Sequence, residues 1–185
     1  MAQKKLKALE KLKIDFCPSP KQYELWKLLQ PECPLCVGEV EQMLIGYDAA
    51  HNPRYKPYCK QCGNQNIPQM VLGGGAAGGG KSFVSSVWLV SSCIRFPDIR
   101  AVVVRKTLKS LKESTWNTIR MVIKQWGLVE DKHYHINNVA GTLRFWNDSV
   151  IIMLELADQP SDLNFERFGS MEATIAACDG VSEVS

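Results

Sequence analysis

The feature that most constrains this 185-residue chain is one glycine-rich run, Gly75-Ala76-Ala77-Gly78-Gly79-Gly80-Lys81-Ser82, with the spacing G-x4-G-K-S. Glycine has no Cβ, so such a loop can wrap its backbone closely round an anion with successive N–H groups pointing inward. A helix starting at the lysine adds the positive end of its dipole. The lysine then reaches the outer phosphates of a nucleotide, and the serine hydroxyl suits Mg²⁺. This chemistry asks for a strand before the loop and a helix after it. Gln69-Met70-Val71-Leu72 is a short apolar run entering the glycines and reads as a buried strand. Lys81 to Phe96 carries Val84, Val87, Trp88, Val90 and Ile94 at helical spacing and stops at Pro97.

The rest of the chain extends the alternation. Ser19 to Gln30, with Tyr23, Leu25, Trp26, Leu28 and Leu29, reads as a short helix ended by Pro31 and Pro34. Ala101-Val102-Val103-Val104 is a second buried strand. Thr107 to Trp126 is one helix with Leu108, Leu111, Trp116, Ile119, Ile123 and Trp126 as its apolar stripe, stopped by Gly127. Thr142–Trp146 and Val150–Leu154 flank Asn147-Asp148-Ser149 as a hairpin. Thr174–Cys178 is a last strand, and Asp179 at its end suits either a Mg²⁺ partner or an ordinary strand-end turn. The predicted fold is α/β: a P-loop NTPase with a mainly parallel sheet flanked by helices and an antiparallel hairpin. No apolar run approaches the roughly 20 residues needed to span a bilayer. The lysine-rich start, with Leu6, Leu9 and Leu12 at helical period, lacks the apolar stretch of a secretion signal. A net charge of +3 is too small to argue for DNA binding by itself.

Five of the nine prolines and four of the seven cysteines lie between Pro31 and Pro68, with few periodic apolar residues. That stretch reads as a loop-rich insert needing a staple. Cys33 and Cys36 form one C-x2-C pair and Cys59 and Cys62 another, with 22 residues between them. Two close pairs at this separation suit tetrahedral Zn²⁺, and four thiolates leave no open position, so the centre would be structural. Four unconnected buried thiols or a redox C-x-x-C are the alternatives. Cys17, Cys93 and Cys178 are expected as core thiols. His51, His133 and His135 lack ligand spacing, and Trp88, Trp116, Trp126 and Trp146 occupy core positions.

The ordered combination of motifs resembles the large terminase subunit of tailed bacteriophages, the ATPase that drives DNA into the capsid. Pro18-Ser19-Pro20-Lys21-Gln22 is similar to that family's adenine-sensing segment, and Gly73 to Ser82 to its Walker A loop. Val104-Arg105-Lys106-Thr107, followed by Leu111 and Ser114, resembles the strand and helix that come next. Phe165-Glu166-Arg167-Phe168-Gly169-Ser170 resembles the lead into Walker B at Asp179. The resemblance implies an ATPase that binds ATP and Mg²⁺, beside the Zn²⁺ that the cysteine spacing suits. It gives Gln22 the adenine contact and Lys81 and Asp179 catalytic roles, with Ser82 and Asp179 at the Mg²⁺. Arg105 stands at the nucleotide edge or caps its strand. Arg167 reaches a neighbour's ATP in a ring or pairs locally with Glu166 or Asp162. Implied partners are double-stranded DNA, a small terminase subunit, a portal protein and further copies of the chain, in the host cytoplasm during virion assembly. The expected organisation is an arm and adenine-sensing helix over 1–32, a zinc-knuckle insert over 33–66 and the ATPase core over 67–185.

Two positions depart from the family. Ala77 stands where an arginine is frequent, and Gly180 where the family has the glutamate that polarises the attacking water. Glycine cannot do that, so the sequence supports binding more than turnover, with Glu183 the nearest other acid. The chain also ends before the family's coupling segment and nuclease domain. A helicase-like or repair ATPase, or a nucleotide-binding remnant without activity, are the competing readings.

Overall fold

Ser19 and Gln22 stand three apart with proline between them, a pattern that starts a helix without further help. In the computed structural model, which describes residues 16–71, 80–157, 162, 168–169 and 171–180, they form a capping box on α1 (Pro20–Leu28). Gln22 N–H donates to Ser19 Oγ, and Ser19 N–H donates to Gln22 Oε1 at 2.8 Å. Two units divide the chain, Pro18–Gly79 and Met1–Cys17 with Gly80–Ser185. The first unit continues into β1 (Val40–Tyr47) and β2 (Pro53–Cys59), an antiparallel pair running from Val40 opposite Cys59 to Tyr47 opposite Pro53. The expected loop-rich insert is therefore a hairpin. Its prolines are tolerated because both strands of a two-stranded ribbon are edges, where a missing N–H leaves no ladder incomplete.

Gln69, Met70 and Val71, expected as the strand entering the glycine loop, lie outside any strand, and Leu72 falls outside the described residues. The reason is visible in Met70, which is exposed: this run buries too little to favour an extended partner.

Among its described residues, the first element of the second unit is α2 (Lys81–Arg95), entered through Gly80 at φ 73°, a left-handed conformation that glycine adopts freely. Val84, Val87, Leu89, Val90, Cys93 and Ile94 give α2 its buried side. The chain then forms β3 (Arg100–Arg105), α3 (Leu108–Leu111), a π-helical turn over Lys112–Trp116 and α4 (Asn117–Gln125). The single helix expected over Thr107–Trp126 is thus broken by a wider turn. The apolar stripe explains it: Leu111 and Trp116 are five apart, and both are buried. An unbroken α-helix would turn one of them away from the core, whereas one π turn absorbs the extra residue. Strands β4 (Tyr134–Asn137), β5 (Thr142–Phe145), β6 (Val150–Glu155) and β7 (Ile175–Cys178) follow among the described residues.

The sheet has the order β4-β5-β6-β3-β7. β3 pairs in parallel with β6 and β7, whereas β4–β5 and β5–β6 are antiparallel. It is a mixed sheet rather than the mainly parallel one expected, because the hairpin recruits β4 as a third antiparallel strand. The Thr142–Leu154 hairpin itself forms, and its turn closes off the end of α2. Asn147 Nδ2 donates to the carbonyls of Cys93 at 2.8 Å and Phe96 at 3.1 Å. Ser149 Oγ donates to Phe96 O at 2.8 Å and accepts from Ile99 N–H at 3.1 Å. These bonds satisfy carbonyls that a helix end leaves without partners.

Trp116 and Trp126 are core residues, and Trp88 and Trp146 are half-buried. Cys93 is buried, which pushes its thiol up to about 12. Cys17 and Cys178 are exposed, against expectation. On β7, alternate residues face outward, and Cys178 falls on that side. His133 is buried and its Nδ1 accepts from Val129 N–H at 2.9 Å, and burial lowers its pKa, so the ring is held neutral. Among the described residues no helix is long and apolar enough to cross a membrane.

Ser149 is fully buried with both roles of its hydroxyl used. Ser149→Ala should cost about 1 kcal/mol by leaving Ile99 N–H without its acceptor, the Phe96 carbonyl keeping Asn147 Nδ2, measured as a lower urea midpoint. An unchanged midpoint would mean that the turn does not hold α2.

Candidate metal centre and nucleotide site

The two C-x2-C pairs fold alike. Cys33 N–H donates to Gly38 O at 2.9 Å, and Cys59 N–H donates to Asn64 O at 2.8 Å. Val37 N–H returns to Cys33 O at 2.8 Å, and Gly63 N–H to Cys59 O at 2.9 Å. The residue after each pair is left-handed, with φ 59° at Val37 and 71° at Gly63. Gly38 lets the two loops approach: a Cβ there would lie 2.7 Å from Gln61 Oε1 and 2.9 Å from Gln61 Cβ.

This approach gathers four sulfurs within 4.8 Å of one another, with Cys33 to Cys62 at 3.7 Å and Cys36 to Cys59 at 3.4 Å. A tetrahedral ion with metal–sulfur bonds of ~2.3 Å needs sulfur–sulfur edges of about 3.8 Å. The four cysteines can therefore hold a metal ion such as zinc. Burial pushes the Cys33 thiol up, but N–H groups of Leu35 and Cys36 and the Asn64 amide outweigh it and bring it to about 6. The hydrogen bond with Cys59 pushes Cys36 up to about 12. In the described part of this unit, the buried side chains are Cys33, Pro57 and Cys59. The thiols are themselves the core, which leaves an ion as the natural cross-link.

At the other site, Gly80, Lys81 and Ser82 are described. Gly75, Ala76, Ala77, Gly78 and Gly79 lie outside the described residues, as does Arg167. Lys81 is the first residue of α2. Ser82 Oγ donates to Asp179 Oδ1 at 2.9 Å, across 97 residues of sequence. Thr115 Oγ1 donates to Asp179 Oδ2. Arg105 Nη1 stands 3.8 Å from the same oxygen and also donates to Ser114 Oγ. Asp179 N–H donates to Val104 O at 3.0 Å, continuing the β7–β3 ladder and fixing where the carboxylate starts. The structure thus brings Ser82, Arg105 and Asp179 together. A hydroxyl and a carboxylate side by side are hard oxygen ligands of the kind Mg²⁺ takes.

Gln22 belongs to the other unit, and its side-chain oxygen closes the capping box of α1. Gly180 has φ 76°, a conformation that gives glycine a backbone reason to be there. No sequence motif singles out Thr115. Its signal was the five-residue step from Leu111 to Trp116, which rotates a buried hydroxyl toward the sheet end.

No protein-family model, curated protein or solved structure matches the chain.

The purified protein should carry about one equivalent of Zn²⁺. Cys59→Ser should lose it, and chelation should melt the β1–β2 hairpin. Metal-free protein purified under reducing conditions, still folded over this unit, would sink the assignment. Val37 is β-branched, left-handed and 77% exposed. Val37→Gly should therefore stabilise the zinc-loaded protein by about 1 kcal/mol, the strain relieved being larger than the backbone freedom gained. A lower Tm would show that the left-handed turn carries no strain.

Proposed function

We propose that the unit containing α2 and the sheet is the nucleotide-binding part of a P-loop NTPase. The observation that carries this reading is the Ser82–Asp179 hydrogen bond. A serine at the start of a helix entered through glycine meets an acid at the carboxyl end of a parallel strand, where open α/β sheets take their ligands. The substrate class is ATP with Mg²⁺, and the motif resemblance to the large terminase subunit supports a role in a motor that moves double-stranded DNA into a capsid. In that setting the chain works as a ring, with a small terminase subunit and a portal protein, in the host cytoplasm. The cysteine centre holds zinc and has a structural part.

On this reading the loop ending at Gly80 lets backbone N–H groups surround the phosphates, and Lys81 supplies their cationic partner. Ser82 and Asp179 would hold the Mg²⁺, which when bound neutralises phosphate charge. Arg105 stands beside Asp179 and steadies the carboxylate. Gly180 favours a second reading, a module that binds nucleotide without turning it over. The position has no side chain to orient water, and φ 76° would cost another residue roughly 1–2 kcal/mol.

Lys81→Ala decides the first point. It should weaken ATP binding by at least about tenfold, the loss of a charge-assisted contact, as measured by calorimetry on the zinc-loaded chain. Equal affinity of parent and variant would refute the phosphate loop.

A further inference from the structure

Thr115 occupies the one place among the described residues where helix geometry is widened. The π turn over Lys112–Trp116 costs regular hydrogen bonding, and such turns recur at functional sites. Here it moves a fully buried hydroxyl onto Asp179 Oδ2. A buried threonine hydroxyl needs an acceptor. In an α-helix that acceptor is usually the carbonyl one turn back, as at Thr118, which donates to Ser114 O at 3.1 Å. Thr115 instead donates its hydrogen bond to the carboxylate. Ser114, next to it, takes Arg105, whose guanidinium faces the same carboxylate oxygen. Two elements therefore converge on Oδ2, and Oδ1 is left turned toward Ser82.

From this we infer that Thr115 is a positioning residue for the cation site. By donating to Oδ2 it fixes the rotation of the Asp179 carboxylate, so that Oδ1 is presented beside the Ser82 hydroxyl. The inference deepens the nucleotide reading and rests on it. A carboxylate free to rotate about its last bond would present a given oxygen only part of the time. A donor that locks it removes that freedom before the cation arrives. The rotation matters because Ser82 belongs to α2 and Asp179 to the end of β7, and no shared backbone fixes one against the other. Thr115 comes from a third element, so the oxygen pair is aligned by a triangle of contacts rather than by one bond.

The test uses the full zinc-loaded chain and a fluorescent ATP analogue, titrated at a series of Mg²⁺ concentrations. Parent, Thr115→Val and Thr115→Ser are compared, with binding in EDTA as the reference. In EDTA the three should bind alike, because the phosphate loop is untouched. With Mg²⁺, the parent and Thr115→Ser should gain affinity at the same midpoint. Thr115→Val, isosteric without the hydroxyl, should need on the order of tenfold more Mg²⁺, the worth of a hydrogen bond to a charged group. Should the valine variant fail to fold, Thr115→Ala removes the hydroxyl without placing a methyl against the carboxylate and should show the same shift. A parent midpoint in the valine or alanine variant would overturn the role. So would a serine variant as impaired as valine, which would reduce Thr115 to packing. Analogue binding that ignores Mg²⁺ in the parent would also overturn it while leaving the phosphate loop standing. No binding by the parent under any condition would remove the nucleotide reading itself, and this role with it.

Discussion

Strand β3 is the constraint on which its unit depends. Ala101, Val102 and Val103 are buried, so the strand has no face for water, and its N–H and C=O groups must find partners along both edges. β6 and β7 supply them in parallel, and parallel pairing has a geometric result. The register sets Glu155, Arg105 and Asp179 in a row across the three strand ends, since Arg105 lies opposite Glu155 and Val104 opposite Cys178. Each then takes a different task. Glu155 Oε1 accepts from Leu108 N–H at 2.9 Å, placing negative charge at the start of α3. Arg105 leans between Ser114 and Asp179, and Asp179 receives Ser82. A requirement of burial in the middle of the strand becomes a charged edge at its end.

The two units solve the problem of stability differently. The sheet unit has aliphatic residues to spare and closes its remaining polar ends with side chains, as Asn147 and Ser149 do for α2. The cysteine unit has almost nothing apolar to bury and repeats one loop geometry instead. Its two loops, Cys33-Pro34-Leu35-Cys36-Val37-Gly38 and Cys59-Lys60-Gln61-Cys62-Gly63-Asn64, share only their cysteines, and the left-handed position is Val37 in one and Gly63 in the other. Repetition of the hydrogen-bond pattern on unlike residues indicates that the sulfur cluster dictates the backbone, and not the reverse.

What the sequence made legible follows the same division. α2, β3 and the β5–β6 hairpin were readable because continuous or periodic apolar residues have one way to be buried, and β7 was readable from its uninterrupted run Ile175–Cys178, although none of its residues is buried. The cysteine cluster was readable from spacing alone. β1 and β2 were not, because an exposed two-stranded ribbon carries no inside-outside pattern and its prolines read as breakers. β4 was hidden for a similar reason, its residues being half-buried or exposed. Gln69, Met70 and Val71 have a strand's composition without the burial to make them one. At the candidate site, Ser82 and Asp179 could be named from motif and strand end. Thr115 could not, because its position depends on a helix defect written only as a five-residue step between Leu111 and Trp116.

β7 has four residues and, among the described residues, a single partner strand, β3. It is also the last strand among the described residues, and it joins a neighbour some seventy residues upstream, Ala101 pairing with Ile175. Contacts of such long range form late, after the local helices and the hairpin have closed shorter loops. Asp179 rides on this strand, so the Ser82–Asp179 pair comes into being only with the docking of β7. Any ligand that grips both residues adds its binding energy to that docking step. A weak edge strand thereby becomes the element whose attachment reports whether the site is occupied.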